Sequence, residues 1–488
     1  MTTRTTDGRW ISPDSGPVVA RTFHAALGLV FIIAFASLAS QIDLLFAAGG
    51  LAPIAETTAL LREAEIDRWL APSLFWWNAS DTALYTAAIA GLLCGLLALL
   101  GRAARPALAL ATVLYLAFVP LGAPFLGFQW DVLLLECGML AVLLPRGRAA
   151  PVVHLLLAFL LFKLYFESGL AKWYSPLGDW HDGSAMTFYY ETAPIPTRLA
   201  WYAHHLPVTW HAVEGWIVLL GELLVPLLIF AGRRGRLIAF FALTGFQLVN
   251  LLTANYGFFI HLSLALHLFL LRDSDLERPR QWLARLPSWL RAPVPEDSSP
   301  GRLRTTLTTT FAILYLAISL LDARANFSDS ETAHALQARL APVYAPLNMI
   351  NTYHLFAAIT RERVEPEFSA TTDDATWTDY TLHYKPGPLD RPPPFVAPHQ
   401  PRLDFQLWFY GLAAEGRPPG YILRLLVMLC RDPARAQAAF STPLLPDPTA
   451  IRLRFWRYQF SPPGAPAWWT RAQIGESGSL RCAELPGA

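Results

Sequence analysis

Charge is scarce in this sequence. Asp, Glu, Lys and Arg make up 15% of its 488 residues, against about 25% in ordinary soluble domains, while 54% are hydrophobic and 13% aromatic. Such a chain is neither disordered nor a coiled coil, and it lacks the charge a water-soluble enzyme of this length needs to cover its surface. A mean hydropathy of +0.34 fits an integral membrane protein, with membrane lipid as its first partner. The formal net charge of +1 gives no basic surplus for wrapping a polyanion, which excludes nucleic acid as a partner. Lysine is nearly absent: Lys163, Lys172 and Lys385 are the only lysines among 38 basic residues. The codon bias of a GC-rich genome accounts for that and points to a bacterial source. Cys94, Cys137, Cys430 and Cys482 are too few for a disulfide scaffold and show no CxxC spacing, so neither a metal nor another cofactor is implied.

Long charge-free runs are what the chain has instead. A span needs about 20 apolar residues, and nine runs qualify or nearly do: 22–42, 82–101, 106–130, 132–144, 149–162, 215–232, 237–271 divided near Asn255 into two, and 305–321. Arginine placement orients them, because positive residues gather in short cytoplasmic loops. With the N-terminal segment 1–21 inside, Arg102, Arg105, Arg146, Arg148, Arg233, Arg234, Arg236 and the segment 272–304 all fall inside. The loops 43–81 and 175–214, richer in acids than bases, fall outside. An odd number of spans leaves everything after Asp322 outside.

The tail has another character. Residues 322–488 are proline-rich and of mixed charge, and Thr376 to Tyr384 and Ile451 to Phe460 alternate polar with apolar residues as half-buried strands do. The runs 403–414 and 421–430 read as short helices. The expected architecture is therefore an α-helical polytopic membrane protein of about nine spans, 22–321, followed by a small β-rich extracytoplasmic domain, 322–488. Cys430 and Cys482 either pair in an oxidising compartment or remain buried thiols.

Polar residues that interrupt the apolar runs are the candidates for function. Lys163 and Glu167 are four apart on one helix face and can pair there. Lys172 lies half a turn out of phase, beside Trp173. It reads either as a snorkelling interfacial lysine or as a base with a lowered pKa. Asp179, Trp180, His181 and Asp182, with Glu191 shortly after, suit turns and helix caps better than a cation site, the acids being too close in sequence to encircle an ion. His204 and His205 are adjacent and so project to different sides. Asp131, Glu136, Glu222, Asn250 and Asn255 lie in apolar runs and should face the bundle interior, as links between helices or along a transport route. In the tail, proline fixes the strip from Pro392 to Asp404, which contains Pro398, His399, Gln400 and Arg402, into an extended form that either presents itself to a partner or leads into the helix that follows.

Several of these stretches together resemble the lipase maturation factor family: LLFKLYFESGLAKW, GDWHDGSAMTFYYETAPIPTRLAWYAHHLP, ELLVPLLIF, FQLVNLLTANYGFF and RPPPFVAPHQPRLDFQLWFY. The resemblance runs from about residue 70 to 460. It implies a membrane-bound folding and assembly factor, not an enzyme, whose client is an extracytoplasmic protein such as a lipase. It carries over the stretch Lys163 to Trp173, residues Asp179 to Gly183, His204-His205 and Pro398 to Arg402 as functional candidates. Animal members reside in the endoplasmic reticulum membrane; a bacterial one would sit in the cytoplasmic membrane with its tail outside. A shorter stretch, GLAKW to DGSAM, is similar to vitamin K-dependent carboxylases, which implies an alternative membrane enzyme with Lys172 as base.

Overall fold

The computed structural model describes residues 16–277, 301–413 and 417–485. Most of segment 1–21, most of 272–304 and the end of the expected helix 403–414 therefore lie outside the described residues. Each of the nine apolar runs contains a helix: α1 Pro17–Ala39, α2 Asp81–Leu99, α3 Ala104–Phe118, α4 Gln129–Leu143, α5 Pro151–Trp173, α6 Val208–Leu224, α7 Gly232–Thr253, α8 Phe259–His267 and α9 Arg302–Phe327. A 3₁₀ stretch prolongs α6 to Phe230. Six of the nine, α1, α2, α5, α6, α7 and α9, are long and apolar enough to cross a membrane. At about 1.5 Å per residue, α3, α4 and α8 reach only about 14 to 23 Å, well short of a ~30 Å hydrocarbon layer, whereas the other six, α6 with its 3₁₀ extension, reach about 28 Å or more.

Helix ends gather at two opposite faces. At one, the Asp273 carboxylate accepts from Gly16, Val18 and Val19 N–H at 3.0–3.1 Å, satisfying the open donors at the start of α1. Arg146 donates to Gly101 O at 2.6 Å and Arg105 to Val142 O at 2.8 Å, so the α2–α3 and α4–α5 turns meet there too. In the bundle, α1 and α2 cross closely because neither carries a side chain at the crossing. A Cβ on Gly28 would stand 2.7 Å from Gly95 O, and one on Gly95 would stand 2.8 Å from Gly28 O.

The tail covers the other face. After α10 (Glu331–Tyr344) come β1 (Arg363–Thr371), β2 (Thr378–Tyr380), α11 (Arg402–Leu412), α12 (Gly420–Arg431), β3 (Ala450–Phe460) and β4 (Trp469–Arg481). The strands form one antiparallel sheet in the order β2-β1-β3-β4. Helix α11 lies on β1, and so closely that a Cβ on Gly411 would stand 2.1 Å from Val364 O. Of the two strands expected, 451–460 is β3 almost residue for residue, whereas 376–384 shrinks to the three residues of β2. Cys430 and Cys482 form a disulfide, Cα to Cα 5.5 Å, tying α12 to the end of β4.

Candidate functional site

Two buried ion pairs organise the middle of the bundle, and they lie on opposite sides of α5. Nine residues at 100° each turn Lys163 and Lys172 half a revolution apart, so Lys163 meets α4 and Lys172 meets α6. Lys163 does not pair with Glu167, as the shared helix face had suggested. Its Nζ is 3.1 Å from Glu136 Oε1. The Glu136 carboxylate also accepts from the hydroxyls of Tyr315 on α9 and Tyr353 in the tail, the latter at 2.7 Å, and from Asn351 at 2.9 Å. Glu167 instead accepts the Tyr353 N–H at 2.9 Å. The physical reason is donor number: a buried carboxylate is stable where several donors converge, and Glu136 collects four.

Lys172 is not a snorkelling residue either, since only 3% of it is exposed. Its Nζ lies 2.6 Å from Glu222 Oε2 on α6, donates to Leu355 O of the tail at 2.7 Å, and stands over the Trp180 ring. Beside this pair is a cavity of about 50 Å³, whose lining includes Tyr165, Gln247, Asn250 and Tyr256. It has room for a few waters at roughly 10–15 Å³ each. Gln247 Nε2 donates to Tyr165 OH at 2.8 Å, which in turn contacts His267 Nε2 at 3.0 Å, while Gln247 Oε1 has no protein partner.

The strip from Pro392 to Asp404 is buried at its centre of function. Its Gln400 and Arg402 side chains are 1% exposed, seated between the tail and the helices. Arg402 holds Asp131 at the start of α4 through two contacts of 2.9 and 3.2 Å, and also donates to Tyr115 OH and Phe125 O. Asp131 completes its set with Tyr115 OH at 2.6 Å and the Gly127 and Phe128 N–H groups. His399 Nδ1 lies 3.0 Å from Ser37 Oγ of α1, and Gln41 brackets the strip by accepting Arg402 N–H and donating to Gln400 O. Asn255 binds the strip too, rather than another helix. Its Oδ1 accepts Val396 and Ala397 N–H at 2.7 and 2.9 Å, and its Nδ2 donates to Pro394 O. Pro398 remains exposed at the strip's edge. Asn250 lines the cavity at Lys172.

The loop 175–214 is a second seam. Asp179 is fully buried and accepts the Ile359 N–H, and Trp180 donates to Ala357 O at 3.2 Å. Asp182 caps Ser184 N–H, and His181 packs edge-on against Trp173 at the exposed rim. Among the described residues no group of three His, Cys, Asp or Glu side chains could hold a metal ion. Glu191 accepts Phe460 N–H at 2.6 Å, with burial raising its pKa. His204 lies 3.7 Å from it, but burial, with His205 and His211 adding to it, lowers the His204 pKa to about 4, so the contact is not an ion pair near neutral pH. His205 turns back to Trp201 O. Arg363 was missed by the sequence reading. Fully buried, it donates to the carbonyls of Glu191, Ala193 and Pro194 and pairs with Glu365 at 2.8 Å. Its only mark in the sequence is a basic residue among three acids, Glu362, Glu365 and Glu367.

A family model of the lipase maturation factor transmembrane domain matches residues 18–278, over half of the chain, and one of the lipase maturation factor C-terminal domain matches residues 349–479. The chain belongs to the lipase maturation factor family. It is 31% identical to lipase maturation factor 2 of Homo sapiens over 93% of this chain and 81% of the relative. It is 28% identical to lipase maturation factor 1 of Bos taurus over 83% and 77% respectively. No solved structure matches. As a lipase maturation factor homologue with these apolar helices it is a multi-pass membrane protein. Nothing in these matches supports the carboxylase-like alternative, and the contacts of Lys172 give it a structural partner on each side.

Proposed function

We propose that this protein is a membrane-embedded maturation factor for lipases, acting on its clients from the side of the tail domain. The observation that carries this is the order and extent of the family match, with both the transmembrane and the C-terminal domain of lipase maturation factors present in one chain. The same reading takes all nine helices as crossings, α3, α4 and α8 being thinner elements shielded by their neighbours, with the N-terminus in the cytoplasm and residues 322–488 outside. The arginine-rich turns meeting at the face opposite the tail support it. So does the disulfide between Cys430 and Cys482, since such bonds persist in oxidising compartments. For a bacterial chain that membrane is the cytoplasmic membrane.

Co-expression with a secreted lipase tests the function. The intact protein should raise lipase activity per mass of secreted lipase, while lipase secreted alone should accumulate with lower specific activity. Equal specific activities across a panel of lipases would overturn the assignment.

A further inference from the structure

The cavity beside Lys172 has polar walls, and the buried groups in them are mostly paired with one another. Lys172 and Glu222 hold each other at 2.6 Å, the Tyr189 and Tyr256 hydroxyls share a hydrogen bond, and Ser168 Oγ donates to Leu164 O at 2.7 Å. The exception is Gln247. It is 2% exposed, its amide donates to Tyr165 OH, and its Oε1 has no partner. Turning the amide over would exchange an unpaired acceptor for an unpaired donor, so one end needs a partner in either orientation. A buried amide end left unpaired is costly, and a group entering the cavity removes that cost.

The cavity lies between two helices. Gln247 and Asn250 share one face of α7, and Val218 and Glu222 share one face of α6. Among the described residues, Val218, Phe246 and Asn250 are only half-buried, and next to them in sequence Ile217 and Val249 are 60% and 49% exposed. The cavity therefore reaches the outside between helices long and apolar enough to cross a membrane, where the surroundings are acyl chains. Gln247 stands about 21 Å along α7 from Arg233, the residue that pairs with Asp275, so the opening belongs to the tail-side end of the bundle.

A space of about 50 Å³ admits roughly three to five atoms of water size, too few for a phospholipid headgroup. Its charge is already balanced: an anionic head would enter against Glu222 and a cationic one against Lys172. What fits is a small neutral group able to hydrogen-bond, carried on a chain that suits the gap between the helices. We propose that this cavity takes the terminal diol of a monoacylglycerol, a neutral single-chain amphiphile, with one hydroxyl on the Gln247 amide and the acyl chain leaving past Val218 and Phe246 into the bilayer. A hydroxyl answers either end of the amide because it both donates and accepts. Asn250 at the rim offers a second amide to the neighbouring hydroxyl.

The test is photolabelling of the full chain in phosphatidylcholine nanodiscs with a monoacylglycerol that carries a diazirine in its acyl chain near the ester. Label should map to α6 and α7 around Val218 and Phe246, and unlabelled mono-oleoylglycerol should compete. Methyl oleate lacks the hydroxyls, oleate carries a charge and free glycerol lacks the chain, so none of the three should compete at the same concentration. Gln247→Leu should weaken the apparent affinity about fivefold, the equivalent of ~1 kcal/mol for one hydrogen bond. Val218→Trp, which leaves every polar group in place and obstructs the exit, should weaken it as well. Label spread evenly over the exposed helices, or equal competition by methyl oleate or oleate, would overturn the site. An unchanged affinity in Val218→Trp overturns it even if Gln247→Leu does not fold. Competition by glycerol alone would overturn the amphiphile and leave a cavity open to small solutes. The labelling involves no lipase, so its outcome is independent of the lipase assay.

Discussion

At Lys172 a single side chain joins three segments, α5, Glu222 of α6 and the Leu355 carbonyl of the tail. Truncating one member of a buried ion pair leaves the other uncompensated, at about 3–5 kcal/mol. Lys172→Ala should therefore lower the unfolding midpoint sharply, while Lys172→Met combined with Glu222→Leu should recover most of the loss. A double variant as unstable as Lys172→Ala would show that the pair itself, and not the orphaned charge, sets the cost. Lys172→Arg retains the cation beside a cavity with spare room, and it should keep most lipase maturation activity. A well-folded but inactive arginine variant would contradict the structural role. Asp404 offers a pH signature. Burial raises its pKa to about 6, although the Tyr384 N–H and Lys385 pull against the rise. Between about pH 4 and 6 the folded state holds a proton that the unfolded state has released, so stability falls as pH rises through that window. Asp404→Asn removes this dependence. The difference in unfolding midpoint between wild type and Asp404→Asn should shift toward the wild type on acidification from pH 6.5 to 4.5, and a constant difference would refute it.

At the scale of elements, the strip before α11 behaves as a tenon between two parts of the molecule. The Gln400 backbone is spent on Ser37 of α1 and on Gln41, the Arg402 side chain on α4, and the Val396 and Ala397 backbone on Asn255. The extended conformation that proline imposes leaves its N–H and C=O groups without strand partners, and Asn255, Ser37 and Gln41 supply what a neighbouring strand would have supplied. Asn255→Ala removes three such bonds at about 1 kcal/mol each. Limited proteolysis should then cut between Pro392 and Pro401 in the variant and not in the wild type, with the bundle fragment and the tail fragment otherwise resistant. Unchanged protease resistance would mean that Arg402 and Gln41 suffice to hold the strip. His399 and Arg402 had been read as residues that could meet a client. In the structure Arg402 faces Asp131, so a loss of client capture in Arg402→Ala would reflect undocking of the tail.

For the whole molecule, the arrangement of helix ends gives a topology that two measurements check. A periplasmic reporter enzyme fused after the last residue should be active and a cytoplasmic one silent. In protein taken from the membrane without reductant, Cys430 and Cys482 should resist alkylation after denaturation while Cys94 and Cys137 react, and reduction should expose all four. Reactive Cys430 and Cys482 in the unreduced sample would remove the disulfide and with it one support for an external tail.

Hydropathy by itself located the nine helices, six of them long and apolar enough to cross a membrane, because an apolar run is a local property that needs no distant partner to be recognised. Strand β3 was equally legible from its alternation. Strands β1 and β4 were not, since RVEPEFSAT carries a proline and three charges and the β4 segment is largely polar, and their strand form comes from pairing with β3 rather than from their own pattern. Residue type and burial cost likewise singled out Asp131, Glu136, Lys163, Lys172 and Glu222, while the proline-fixed strip and the family resemblance singled out Gln400 and Arg402. Only the tertiary structure decided who meets whom. Glu136 took Lys163 away from Glu167, and Arg402 reached Asp131 across 271 residues of sequence. The physical reason is that a buried charge selects its partner by the geometry and number of donors converging on it in space, and spacing along one helix contains neither.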